Sequence, residues 1–149
     1  MPRHELRDAP GVLTAEQLHQ TVDAIVAAQQ PSGSLPWPDG HTDAWDHVEC
    51  AMALTLGGRI DQARAAYEWL RRNQAADGSW AMSYDEDRIL DASVDTNQCA
   101  YIAVGMWQWW LVTADSSLSY GRTSSVRWTS SSECSCRMDR SRGVDHRKV

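Results

Sequence analysis

The chain has no phenylalanine and a single lysine, against thirteen arginines. The arginine bias fits coding by a GC-rich genome. Long apolar runs are missing too: the longest, Ile102–Val112, is broken by Gly105 and Gln108. That excludes a membrane-spanning helix, which needs about 20 apolar residues. No signal-peptide h-region opens the N-terminus, so the expectation is a cytoplasmic protein. Of the four cysteines, Cys50 and Cys99 sit in helical patterns and read as buried thiols, while Cys134 and Cys136 lie near the C-terminus. No pair has zinc-site spacing, which excludes a metal knuckle and a disulfide framework. No metal is expected, and no residue pattern names a cofactor. Positive charge is scarce in the body: residues 1–115 carry 7 basic and 17 acidic side chains. Such a surface repels phosphates, so no nucleic-acid partner is expected.

What is present is a repeat. Gln30-Pro-Ser-Gly33-Ser-Leu-Pro-Trp37 and Gln74-Ala-Ala-Asp-Gly78-Ser-Trp80 each join a glutamine, a glycine turn and a tryptophan, and each follows a helical pattern. The two glutamines are 44 residues apart, the length of a helical hairpin. Thr14-Ala-Glu-Gln17 reads as a capping box opening a first helix, with Leu18, Val22, Ile25 and Val26 on one stripe. A second helix is expected from about Asp43 to Leu56, a third over Gln62–Gln74 capped by Asp61, and a fourth from Asn97 to about Thr113. The fourth is apolar on most sides and needs neighbours on most sides. No strand pattern stands out. The expected fold class is all-α: two helical hairpins of an α/α barrel, a partial α/α toroid, with a disordered C-terminal tail. The expected division is an N-terminal arm (1–13), the hairpin repeats (14–115) and the tail (116–149).

The tail changes composition abruptly, with ten serines and six arginines and no apolar period. It reads as an out-of-frame translation. Triplets taken from the third base of each codon force Asp at Trp128-Thr129 and Gly at Met138-Asp139. Permitted codons from Tyr120 onward spell WPYVVRAMDFVVGMQLPDGSVAWSRPPES. That string restores phenylalanine and a third Gln–Gly–Trp copy. Repeat folds need about three units for stability, so two units and a polar tail imply a marginal, inactive product.

The Gln–Gly–Trp segments resemble the QW motifs of squalene and hopene cyclases, and more widely the terpenoid cyclase and protein prenyltransferase α/α-toroid superfamily. The resemblance covers roughly residues 14–112. It implies structural roles for Gln30, Trp37, Gln74 and Trp80 in tying neighbouring helices, with Gly33 and Gly78 shaping the turns. It also implies a parent acting on an isoprenoid or other small hydrophobic ligand. The chemistry of those families does not carry over: Asp85-Glu86-Asp87-Arg88 lacks the adjacent aspartates of the cyclases, and the Asp-x-Cys zinc pair of the transferases is missing.

The segment richest in chemistry is His41-Thr-Asp43-Ala-Trp45-Asp46-His47-Val-Glu49. On a helix, Asp43, Asp46 and Glu49 share a face beside Trp45. Such a row suits general acid or base catalysis or a grip on sugar hydroxyls. Acids also suit a helix N-terminus for reasons of dipole alone. Asp95-Thr96-Asn97 opens the fourth helix at the equivalent end, so Asp95 is the candidate opposing acid and Asn97 a candidate ligand contact. His41 is a candidate ligand contact; His41 and His47 match no zinc spacing and read as surface or capping residues. Trp107, Trp109 and Trp110 offer an aromatic wall, with Trp107 the candidate ligand contact, although helical spacing favours core packing. The alternative to the isoprenoid reading is a carbohydrate-active, six-hairpin glycosidase-like toroid. That enzyme needs a second carboxylate about 5–9.5 Å from the first. A third reading is a non-catalytic helical-repeat binding protein.

Overall fold

Thr14 begins the first helix as its residue pattern demands. Its hydroxyl accepts the Gln17 amide, and the Gln17 side chain returns to the Thr14 amide at 2.8 Å. Asp8 adds a further bond, to the Ala15 N–H at 2.7 Å. In the computed structural model, which describes residues 6–118, this helix is α1 (Ala15–Ala28). It is followed by α2 (Ala44–Leu56), α3 (Ile60–Arg72), the strands β1 (Ser83–Asp85) and β2 (Arg88–Asp91), and α4 (Thr96–Thr113). The start of α3 differs from expectation: Arg59, not Asp61, is its N-cap and makes no side-chain capping bond.

The two helix pairs are set side by side. Trp45 meets Tyr101, Val48 lies against Gly105, and the Met52 carbonyl accepts from Gln108, so residue numbers rise together and α2 and α4 run parallel. The contact at Gly105 is close: a Cβ there would run into Val48. Helix α2 packs against α3 on its other side, with His47 bonded to the Ala66 carbonyl. Val48, Ala51, Leu54, Ala63, Ala66, Tyr67, Trp69, Leu70, Ile102 and Trp109 form the core. Full burial of a leucine such as Leu54 or Leu70 stabilises by about 1.5–3 kcal/mol.

The fourth helix keeps one apolar side open. Trp109 is buried, but Val104, Trp107, Trp110 and Leu111 are exposed. Trp107 and Trp110 stack on each other at 5.0 Å.

Two expectations need correction. The fold is not purely helical. β1 and β2 form an antiparallel hairpin, and Thr42 bridges to Tyr84 by a pair of 2.8 Å backbone bonds. Strands of three and four residues are too short to give a period. Acidic side chains are built into this hairpin: Asp85 pairs with Arg88, Asp87 accepts from Asn73, and Asp91 accepts from Ser93. Nor does packing stop at residue 115. Asp115 pairs with Arg64 at 2.6 Å, and Leu118 is buried. The rest of the expected tail, its disorder and its shifted frame lie outside the described residues, as does the start of the N-terminal arm.

The turn between α1 and α2 and the turn after α3 are alike. Gln29 Nε2 donates to the Gly33 carbonyl at 3.2 Å, and Gln74 Nε2 donates to the Gly78 carbonyl at 3.0 Å. Gln29 also reaches the Gln62 carbonyl in the first turn of α3, at 2.9 Å. The glutamine equivalent to Gln74 is therefore Gln29, not Gln30, whose side chain is exposed and makes only a 3.4 Å contact with Ala28. Gly33 and Gly78 have φ of 92° and 90°. That is the left-handed region glycine enters without steric cost. The tryptophans do not match: Trp80 is buried and donates to the Leu70 carbonyl, whereas Trp37 is exposed and faces the site described next.

Candidate functional site

The N-terminus of α2 gathers three carboxylates and two indoles. Asp43 caps the helix: its Oδ1 accepts the Asp46 N–H at 2.8 Å. Its Oδ2 accepts the Trp37 Nε1–H, also at 2.8 Å. One turn on, Trp45 Nε1–H donates to Glu49 Oε1 at 3.0 Å. Asp43 and Asp46 are half-buried, and Glu49 is exposed. Asp46 is the perturbed member. Burial raises its pKa above the ordinary carboxylate value. The Asp43 charge and hydrogen bond, and then the Glu49 charge, push the same way, and a Trp37 contact opposes them in part. The charges acting on Asp46 are all carboxylates, so its neutral form is favoured.

The aromatic rings stand beside these acids. Trp45 lies over Tyr101 of α4 at 5.3 Å and 26°. Trp37 lies over His41 at 5.9 Å and 8°, and His41 Nδ1 meets Asp39 at 2.5 Å. His41 thus buttresses Trp37. Trp37 and Trp45 remain 45% and 40% exposed, so each keeps part of its surface open to a ligand.

Neighbouring groups have structural duties. His47 is fully buried, not at the surface as expected. Its Nδ1 accepts the Leu35 N–H at 3.2 Å, which places the proton on Nε2, donated to the Ala66 carbonyl at 2.9 Å. Burial lowers its pKa to about 4. With both ring nitrogens engaged, it has none free for a metal. Burial and then the three carboxylates raise the Cys50 pKa, which makes it a poor nucleophile.

Asp95 occupies in α4 the place Asp43 holds in α2. Its Oδ1 accepts the Asn97 and Gln98 amides at 2.7 and 3.0 Å. The Asn97 residue is exposed. Trp107 does not join the cluster: it lies about 15 Å along α4 from Asn97, at 1.5 Å rise per residue. Sequence reasoning missed Tyr101 as the support of Trp45, and assigned Trp37 to the turn instead of to the acids. No local signal marks Tyr101; the neighbourhood of Trp37 and Asp43, six residues apart, was the available cue.

No protein-family model matches the chain. One curated protein does. Over 107 residues, 71% of its length, the chain is 54% identical to the MMP endo-(1,4)-3-O-methyl-alpha-D-mannosidase of Mycolicibacterium hassiacum. It spans 30% of that relative's length.

This similarity overturns the terpenoid cyclase and prenyltransferase resemblance, and with it the isoprenoid substrate. It favours the carbohydrate-active alternative. The physical reason lies in the turns. A glutamine closing a glycine turn and tying the next helix serves any stacked α-hairpin, and carries no chemistry of its own. Among the described residues no helix is long and apolar enough to cross a membrane.

Proposed function

We propose that this chain carries part of the active site of an endo-acting glycoside hydrolase that cleaves (1,4)-linked 3-O-methyl-α-D-mannose chains. The observation that carries the reading is the 54% identity over 107 residues to a protein of that name. The carboxylate cluster supports it, because glycoside hydrolysis uses a carboxylic acid with a raised pKa as its proton donor, and the Asp46 pKa is raised.

In this reading Asp46 is the general acid. It passes its proton to the glycosidic oxygen as the bond from that oxygen to the anomeric carbon breaks. The departing chain leaves as an alcohol, and water takes its place on the anomeric carbon, either directly with the opposing carboxylate as base or after that carboxylate has bonded there first. Burial, and then the charges of Asp43 and Glu49, raise the Asp46 pKa, and Asp43 and Glu49 accept hydrogen bonds from sugar hydroxyls. Asp95, engaged as a helix cap, has a structural role here, and the opposing carboxylate comes from outside the described residues. The two hairpins would be neighbouring sectors of an α/α toroid, with the N-termini of α2 and α4 at the rim of its cavity. A division into an arm, the hairpin repeats from residue 14 and a separate tail belongs to the same proposal.

The test is a chimera. The matched 107 residues replace their counterparts in the Mycolicibacterium hassiacum enzyme, and cleavage of a (1,4)-linked 3-O-methylmannose oligosaccharide is followed. Activity is expected, with Asp46→Asn reducing kcat about 10²–10⁴-fold. A folded chimera without activity, or an Asp46→Asn form that keeps it, would sink the proposal.

A further inference from the structure

The two exposed indoles of the site share an unusual constraint. Trp37 gives its only N–H to Asp43, and Trp45 gives its only N–H to Glu49. Indole has one donor and no acceptor. Both rings are therefore fixed in place and have nothing left with which to bind a hydroxyl. What they present is a hydrocarbon face. Trp45 is held further by stacking on Tyr101, which is itself half-buried. A rigid aromatic surface beside hydrogen-bond acceptors suits a sugar that has hydroxyls on one side and an apolar substituent on the other.

We infer that the Trp45–Tyr101 stack, with Trp37 beside the same carboxylates, is the specificity-determining surface that packs against the methyl ether of a 3-O-methylmannose residue. The inference rests on the proposed function for the identity of the sugar and adds the residues that distinguish methylated from unmethylated chains. An unmethylated O3 placed on the Trp45 ring would lose its hydrogen bonds to water and find no free donor or acceptor on either indole. A methyl ether there loses little, and its CH₃ leaves water. Each methyl group so buried favours the methylated ligand about fourfold. The hydroxyls left free on the ring are served by the unused lone pairs of Asp43 and Glu49.

The experiment uses the full 149-residue chain, labelled with ¹⁵N and titrated with two synthetic (1,4)-linked α-mannose tetrasaccharides, one 3-O-methylated and one not. The Trp45 indole N–H resonance reports binding. The expected result is an affinity at least about fourfold higher for the methylated sugar. Trp45→Ala brings the two sugars to equal affinity, Trp45→Phe retains part of the preference, and Tyr101→Ala reduces it. Trp110→Ala, at the far end of α4, leaves it unchanged. Equal affinity in the unsubstituted chain, a preference that survives Trp45→Ala, or no response to either sugar would overturn the inference. Hydrolysis by the chimera is scored separately, so loss of methyl discrimination with retained cleavage rejects this inference and leaves the proposed function standing.

Discussion

Acidification should destabilise this protein mainly through one residue, His47. The folded chain holds it neutral: Nδ1 accepts from Leu35, Nε2–H donates to Ala66, and the ring tilts against Trp69 at 4.6 Å. Burial lowers its pKa from 6.5 to about 4. The unfolded chain therefore takes up this proton first. The stabilisation is complete above pH 6.5 and is lost as pH falls towards 4. One pKa unit is worth about 1.4 kcal/mol, so the whole loss is about 3 kcal/mol. A domain of this kind is stable by only about 5–15 kcal/mol in all. Asp46, whose folded pKa is raised, has the opposite sign: the folded chain binds its proton more readily, so acidification through its range restores a part. Asp115, with a lowered pKa, loses its contribution only below the ordinary carboxylate range. The assay is thermal unfolding between pH 7 and 4, compared with His47→Gln. The original chain should lose roughly 12–24 °C in Tm, at roughly 4–8 °C per kcal/mol. The variant should start lower and lack most of the slope. An equal slope in the variant, or an imidazole NMR titration of His47 centred near 6.5, would refute the reasoning.

Three further outcomes follow from single contacts. Gln29→Ala should destabilise by about 1–3 kcal/mol in denaturant titration, because it frees the Gly33 and Gln62 carbonyls together. Gln30→Ala should change little, so equal effects from the two would reject the assignment of the turn. Gly105→Ala should cost about 1–3 kcal/mol, since its Cβ meets Val48 across the α2–α4 contact; an unchanged unfolding midpoint would mean that those helices are not so close. Gly33→Ala should be no milder, having both a φ of 92° and the Ala65 carbonyl in its way, and Tm by calorimetry reads it directly.

Local chemistry made the helix starts legible. Thr14, Asp43 and Asp95 all cap, because a short polar side chain that bonds an amide two or three residues on is a signal contained in a few residues. The glutamines show where such reading stops. Gln29 and Gln30 are adjacent and chemically identical. The choice between them is made by where α1 ends, at Gln29 with φ −66° and ψ 130°, and by the position of Gln62 in another helix. The hairpin of β1 and β2 was hidden for a similar reason: its anchor is Tyr84, whose backbone pairs with Thr42 and whose hydroxyl accepts the Ala81 N–H, neither of which leaves a periodic trace.

The resemblance to the cyclases went wrong because it was read from turns, and the site shows what those turns conceal. The two hairpins match atom for role where they are structural. His47 Nδ1 accepts the Leu35 N–H, and Cys99 Sγ accepts the Trp80 N–H at 3.4 Å; each acceptor lies four residues after its cap. This pairing sets the register between α2 and α4. Three residues after the cap, Asp46 then corresponds to Gln98, which is buried and donates to the Met82 carbonyl. Six residues after it, Glu49 corresponds to Tyr101. The second hairpin thus has neutral groups where the first has Asp46 and Glu49, and supplies a ring that supports Trp45. Asp95 corresponds to the capping Asp43, not to Asp46, so the symmetry that made it attractive as an opposing acid argues against it. In the proposed hydrolase the second carboxylate comes from outside the described residues, and the methylated sugar would lie between that group and the Trp45–Tyr101 stack.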